Sequence, residues 1–275
     1  MDQLKGDRAT WRFDGETVLI RYHTGRRIDP VLDALGQCAV PVAAIDSVEF
    51  RTGRRTRRWG RTKNHWRLRT RLDQRADPFA AVGAMLREAS DPLLLTGSDE
   101  TELVAEYHAE QLEVAATTAR ETGSVAPPGL ATRLVPSLPL HIQTVEGTAG
   151  FDGTGVRLTW SGPETSSRKR KRQRREIPLA QIAGAEWVPG RHGDYGYLRV
   201  VERPPDSTLR TVGHSFGITK PAATDNEATA PDKDFNCLRC RGSAENARIL
   251  LMAAAITAHV WALDAKGQAE PAPGD

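Results

Sequence analysis

The chain has 275 residues, of which 39% are hydrophobic and 27% charged, with 24 Gly and 17 Pro. That length allows one large domain or two smaller ones able to bury cores without disulfide or metal staples, and the composition excludes fibrous, disordered and membrane-spanning classes. The formal net charge of +3 conceals a segregation: ten basic and no acidic residues lie from Arg51 to Arg71, seven of the eight residues from Arg168 to Arg175 are basic, and the remainder is net acidic.

Met-Asp-Gln-Leu-Lys at the N-terminus has no apolar signal region, which predicts a cytoplasmic chain. The first strong local signal is Phe13-Asp14-Gly15, a turn between apolar runs that predicts a hairpin continuing through Val18, Ile20 and Tyr22. Pro41 suits a strand start or a sheet edge, because it lacks an amide donor, and Ile45 follows as an inward anchor. A basic insertion from Arg51 to Lys63 precedes a cleanly alternating strand, Trp66 to Leu72. Asp77 and Pro78 open a short helix reaching Ala89, and a longer helix begins near Ser98 and Asp99 and runs through Leu103, Tyr107 and Val114 to about Arg120. Pro127, Pro128, Pro136 and Pro139 then mark a stiff linker.

The pattern starts again after that linker. Phe151-Asp152-Gly153 and the residues to Trp160 align without a gap on Phe13 to Tyr22, and Ile177-Pro178-Leu179-Ala180-Gln181-Ile182 aligns on Val40-Pro41-Val42-Ala43-Ala44-Ile45, at offsets of 138 and 137. Tyr195, Tyr197 and Leu198 to Val201 take the place of the alternating strand, and a polar loop spans Gly217 to Asp234. The last helix starts near Ser243 and Glu245 and continues through Ile249, Met252, Ile256, Val260 and Leu263; its fifteen-residue apolar run is short for a bilayer and reads as a buried helix. Gly97-Ser98 and Gly242-Ser243 correspond in this reading.

Two copies of one domain follow, at residues 1–122 and 142–266, with a Pro-rich linker at 123–141 and a disordered tail at 267–275. The predicted class is mainly β with α: two tandem small β-barrels or orthogonal sandwiches of six or seven strands, each closed by a C-terminal helix. The F-D-G-x-x-V signature, the [IV]-P-[LV]-A-x-I block and the terminal helix, each found twice, resemble an actinobacterial family, domain of unknown function 4429. That resemblance implies a bacterial pleckstrin-homology-like (PH-like) fold and no established activity.

Chemistry is sparse. There is no phosphate-binding loop, no H-E-x-x-H, no G-x-S-x-G and no dinucleotide fingerprint, so no enzyme and no cofactor are expected. Asp14 and Asp152 read as turn formers rather than as an acid/base pair. Cys237 and Cys240 form a lone C-x-x-C without further ligands, which reads as two strand residues on opposite faces rather than a zinc or redox site.

Only the cations ask for a partner. Arg168, Lys169, Arg170, Lys171, Arg172, Arg174 and Arg175 are expected on an extended, solvated first hairpin loop of the second copy, suited to an anionic phospholipid surface or an acidic protein. Arg54, Arg55, Arg57, Arg58, Arg61 and Lys63, interleaved with Trp59, form the second candidate set and support nucleic-acid binding as the competing class, with Trp59 stacking on a base and Trp66 in the core. A module binding peptide or its own second copy through the acidic remainder is the third class, and merely solubilising runs, or basic loops folding onto the acidic body, leave no partner at all. The expected location is cytoplasmic, with peripheral membrane contact as the route to a bilayer.

Overall fold

The computed structural model describes residues 2–25, 28–53, 56–58, 61–63, 65–83, 86–190, 194–204 and 230–269. In the first half these form β1 (Asp2–Lys5), β2 (Ala9–Phe13), β3 (Thr17–Tyr22), α1 (Pro30–Leu35), β4 (Gln37–Pro41), β5 (Ile45–Arg51), β6 (Thr56–Arg58), β7 (Arg61–Lys63), β8 (His65–Leu72), α2 (Pro78–Val82), β9 (Leu94–Ser98) and α3 (Glu102–Glu121). A short α4 (Leu130–Arg133) follows. The second half holds β10 (Leu140–Gln143), β11 (Thr148–Phe151), β12 (Gly155–Thr159), α5 (Ser167–Arg172), β13 (Arg174–Pro178), β14 (Ile182–Val188), β15 (Gly196–Glu202), β16 (Cys237–Cys240) and α6 (Gly242–Ala269).

All strand pairs are antiparallel. The first half has a four-stranded sheet, β1-β2-β3-β4, and a three-stranded sheet, β5-β8-β9, from which the ribbon β6-β7 extends; the second half repeats the plan as β10-β11-β12-β13 and β14-β15-β16. The Phe-Asp-Gly hairpins form as the sequence predicts. Asp14 Oδ1 accepts the amides of Glu16 and Thr17 at 3.0 and 2.8 Å, Asp152 Oδ1 those of Thr154 and Gly155 at 2.8 and 3.2 Å, and Gly15 and Gly153 take φ of 103° and 92°.

None of these sheets closes into a barrel. Pro41 and Pro178 end the edge strands β4 and β13, and a single 3-10 turn, Val42–Ala44 or Leu179–Gln181, carries the chain into the second sheet. Pairing is interrupted there because proline brings no donor and the turn reverses direction, so two sheets pack face to face instead. The next strands each carry an irregularity at the same place, Ile45/Ser47 and Ile182/Gly184.

Trp11, Val18, Ile20, Val40, Trp66, Leu68 and Leu95 fill the first core, with Trp66 fully buried and its indole donating to Thr101 Oγ1 at 3.0 Å. Phe151, Val156, Leu158, Ile177, Leu198 and Leu238 fill the second, together with most of α6. The linker is no mere spacer: Leu130 and Leu134 join the first core, Ala131 and Val135 the second.

The helices depart from expectation in several ways. The first terminal helix starts at Glu102, after a 3-10 turn at Asp99–Thr101, and Ser98 makes no side-chain cap. Its buried face is Ala105, Ala109, Leu112, Ala116 and Ala119, whereas Leu103, Tyr107 and Val114 point outward, because small residues let the helix approach the sheet closely. Gly97 lies within β9 opposite Trp66, and Gly242 opens α6 at φ 78°, so the two glycines do not correspond. The helix expected at Pro78–Ala89 is present with the predicted Asp77 cap but stops at Val82. At 28 residues α6 exceeds the apolar run read from sequence and, among the described residues, is the one helix long and apolar enough to cross a membrane; its centre is buried within the protein. It continues to Ala269 into the expected tail, residues 270–275 lie outside the described residues, and so does most of the Gly217–Asp234 loop.

Candidate functional site

Most of the basic run of the second half is helical rather than extended, and the run is not a first hairpin loop. It connects the third and fourth strands of its sheet, with Arg168 to Arg172 on α5 and Arg174 and Arg175 already in β13. Ser166 caps the helix: its hydroxyl receives the Lys169 amide at 3.5 Å and donates to the Asp232 carbonyl at 2.8 Å. Gln173 ends it at φ 64° and ψ −56°, and Gly36 ends α1 at φ 64° and ψ −58° in the same place of the first half.

Repulsion among the cations is relieved one residue at a time. Arg168 and Arg172, one turn apart, each hold the guanidinium carbon 4.9 Å from the centre of the Phe235 ring. Arg175 pairs with Glu202, and Arg170 donates to the Thr165 carbonyl at 3.4 Å. Lys169 leaves the candidate set altogether. Its side chain is fully buried, and Nζ donates to Glu146 Oε2 at 3.0 Å and to the carbonyls of Pro231 and Cys237 at 2.7 and 2.9 Å, which uses all three donors. Burial pushes its pKa down while the Glu146 charge opposes that shift. Glu146 in turn accepts from the Arg239 amide at 2.8 Å and Nε at 3.0 Å. Sequence reading missed Glu146, which lies in the tight β10–β11 turn 23 residues from Lys169.

Arg168, Arg170, Lys171, Arg172 and Arg174 remain exposed. In the first half Arg57, Arg58, Arg61 and Lys63 lie on the β6-β7 ribbon, whose register sets Arg58 opposite Arg61 and Lys63 opposite Thr56. Arg54, Arg55 and Trp59 lie outside the described residues. The later cations of this stretch are neutralised by carboxylates from other elements: Arg67 by Glu88, Arg69 by Asp91 and Arg71 by Glu49.

The cysteines are strand residues. Cys237 Sγ donates to Asp234 Oδ2 at 3.1 Å and Cys240 Sγ to Asn246 Oδ1 at 3.4 Å, and burial pushes both thiols up to about 12, which keeps them protonated at neutral pH. Among the described residues no three His, Cys, Asp or Glu side chains gather to hold a metal.

A groove of about 760 Å³ lies over the outer face of β10-β11-β12-β13, bounded by His141, Thr148, Arg157, Glu176 and Arg248. Gly150 opens it, since a Cβ there would come within 3.2 Å of His141 Nδ1; Arg12 stands at this position in the first half, opposite Gln3 and Leu19. Only comparison of the two copies could have pointed to this surface.

Fold and surface together define a duplicated α+β protein with a short basic helix on its second copy. The family model described as Domain of unknown function (DUF4429) matches twice, at residues 11–113 and 149–257. The chain belongs to that family. A search of the curated proteins returns no match.

Proposed function

We propose that this chain is a noncatalytic binding protein made of two PH-like units, 1–122 and 142–266 joined by the segment 123–141, that holds an anionic phospholipid surface from the cytoplasmic side. The order of four strands, three strands and a closing helix in each half supports the PH-like reading. One observation carries the functional one: five exposed cations, Arg168, Arg170, Lys171, Arg172 and Arg174, lie within seven residues on a helix and strand start that are locked in place by the buried Lys169. Cations near an anionic bilayer contribute about 1 kcal/mol each, hence about 5 kcal/mol for this set before screening. The β6-β7 ribbon adds Arg57, Arg58, Arg61 and Lys63 in the first half. The burial of α6 supports peripheral attachment over insertion.

The test is vesicle flotation with and without phosphatidylglycerol or cardiolipin over a salt series, run beside shift assays with labelled single-stranded and duplex nucleic acid. Anionic vesicles should carry the protein up at low salt and release it as salt rises. Replacing the five exposed cations by Gln should abolish flotation, and retention by that variant overturns the proposal. Lys169 is left in place, because its loss would unfold the helix rather than report on binding. Nucleic-acid binding that outlasts vesicle binding in salt would transfer the basic surface to the competing class.

A further inference from the structure

The two terminal helices can be set in register by what they hold. Glu113 Oε2 on α3 accepts the Val48 amide at 3.0 Å, just past the irregularity in β5, and Thr257 Oγ1 on α6 accepts the Ala185 amide at 3.2 Å, just past the equivalent irregularity in β14. Val48 and Ala185 keep the 137-residue offset, and the two family matches end at positions 113 and 257. In this register Leu103, Tyr107, Glu110 and Val114 correspond to Ala247, Leu251, Ala254 and Ala258.

Their surroundings differ completely. The α6 set is buried, and α1, α2 and α4 of the preceding chain lie over it, with Val31, Phe79, Val82 and Ala131 in the same core. On α3 the corresponding stripe is bare: Leu103 is 81% exposed, Val114 66% and Tyr107 53%, beside the exposed Glu106 and Glu110. The first half therefore covers the helix of the second, whereas the matching surface of the second half is not returned to the helix of the first. Such a contact is heterologous: it leaves one receiving face and one docking face unused on each chain.

The docking face left over is α5, whose Arg168 and Arg172 rest on Phe235 of the same chain and stay exposed. It stands where α1 stands in the first half, with the same cap geometry, and at the 137-residue offset Val31 and Leu35, which pack on the α6 side, become Arg168 and Arg172. An apolar surface meets apolar α6 within the chain; a cationic one remains to meet α3, whose exposed face combines apolar side chains with carboxylates. We propose that copies of this chain associate head to tail, α5 of one chain seated on the outer face of α3 of the next, in the manner of α1 on α6. The proposal goes beyond lipid binding and shares its cations, so α3 variants, which leave α5 intact, separate the two.

Sedimentation velocity of the full chain should give a mass that grows with protein concentration at low salt and falls toward the monomer at high salt. Glu106→Gln/Glu110→Gln and Arg168→Glu/Arg172→Glu should each be monomeric. Mixed in equal amounts they should form a species of two chains and nothing larger, since one intact α3 and one intact α5 remain; unfolded chains would not do this. The α3 variant should still float with anionic vesicles. A wild type that stays monomeric at low salt, variants that assemble as the wild type does, or a mixture that stays monomeric overturns the proposal.

Discussion

Lys169 and Glu146 meet at 3.0 Å with neither side chain exposed, inside a unit whose twin carries Leu32 at the position of Lys169. Burying two charges is tolerable only when every donor and lone pair is matched, and here Pro231, Cys237 and Arg239 complete the set. Lys169→Met should therefore destabilise the protein by about 3–5 kcal/mol, whereas Lys171→Met, two residues on and exposed, should fall within about 0.5 kcal/mol of wild type. Urea unfolding followed by tryptophan fluorescence compares the two. The double variant Lys169→Met/Glu146→Gln should recover part of the loss, since it no longer leaves a carboxylate short of a partner.

Gln173 holds a backbone conformation that its twin assigns to Gly36, at φ 64° with negative ψ. A side chain in this region is strained by about 1–3 kcal/mol. Gln173→Gly should accordingly raise stability, by about 1 kcal/mol once the added freedom of the unfolded chain is subtracted, and leave vesicle flotation unchanged because no cation moves. Gly36→Ala should lower stability by a similar amount.

How much of this was readable in advance follows from how local each cause is. The duplication and its hairpins were legible because Asp14, Gly15 and their counterparts fix their turns within four residues. The α5 helix was not, because Arg168 and Arg172 are accommodated by Phe235 and Lys169 by Glu146, partners remote in sequence. The same holds for Arg67, Arg69 and Arg71, which look unopposed along the chain and are opposed across it. The outward turn of Leu103, Tyr107 and Val114 misled a reading that sends large apolar side chains inward; alanines on the other face allowed the closer contact. The barrel failed as an expectation because strand patterning reports which face is buried and says nothing of whether the last strand pairs with the first.

Gly97 faces Trp66 across β8 and β9, and a Cβ on Gly97 would lie 2.3 Å from the indole. The ring cannot yield, as it is fully buried and tethered to Thr101. Gly97→Ala should destabilise the protein by about 1–3 kcal/mol through overpacking, read as a lower denaturation midpoint. An unchanged midpoint would mean that β9 slides away from the ring.

The amides of Glu16 and Thr17 hold the Asp14 carboxyl below its ordinary 3.8, and the Thr154 hydroxyl, followed by the amides of Thr154 and Gly155, holds that of Asp152 below the same value. A folded pKa below the unfolded one means that the unfolded chain binds more protons near pH 4, so stability rises with pH there. The contribution is complete above 3.8 and disappears as pH falls through the folded value. Asp14→Asn/Asp152→Asn should keep the turns, since the Asn carbonyl still accepts, but flatten the fall of the urea midpoint as pH drops below 3.8. A double variant with the wild-type slope would assign the acid sensitivity to other carboxylates, Glu49 first among them, because the hydrogen bond from the Arg71 guanidinium lowers its pKa.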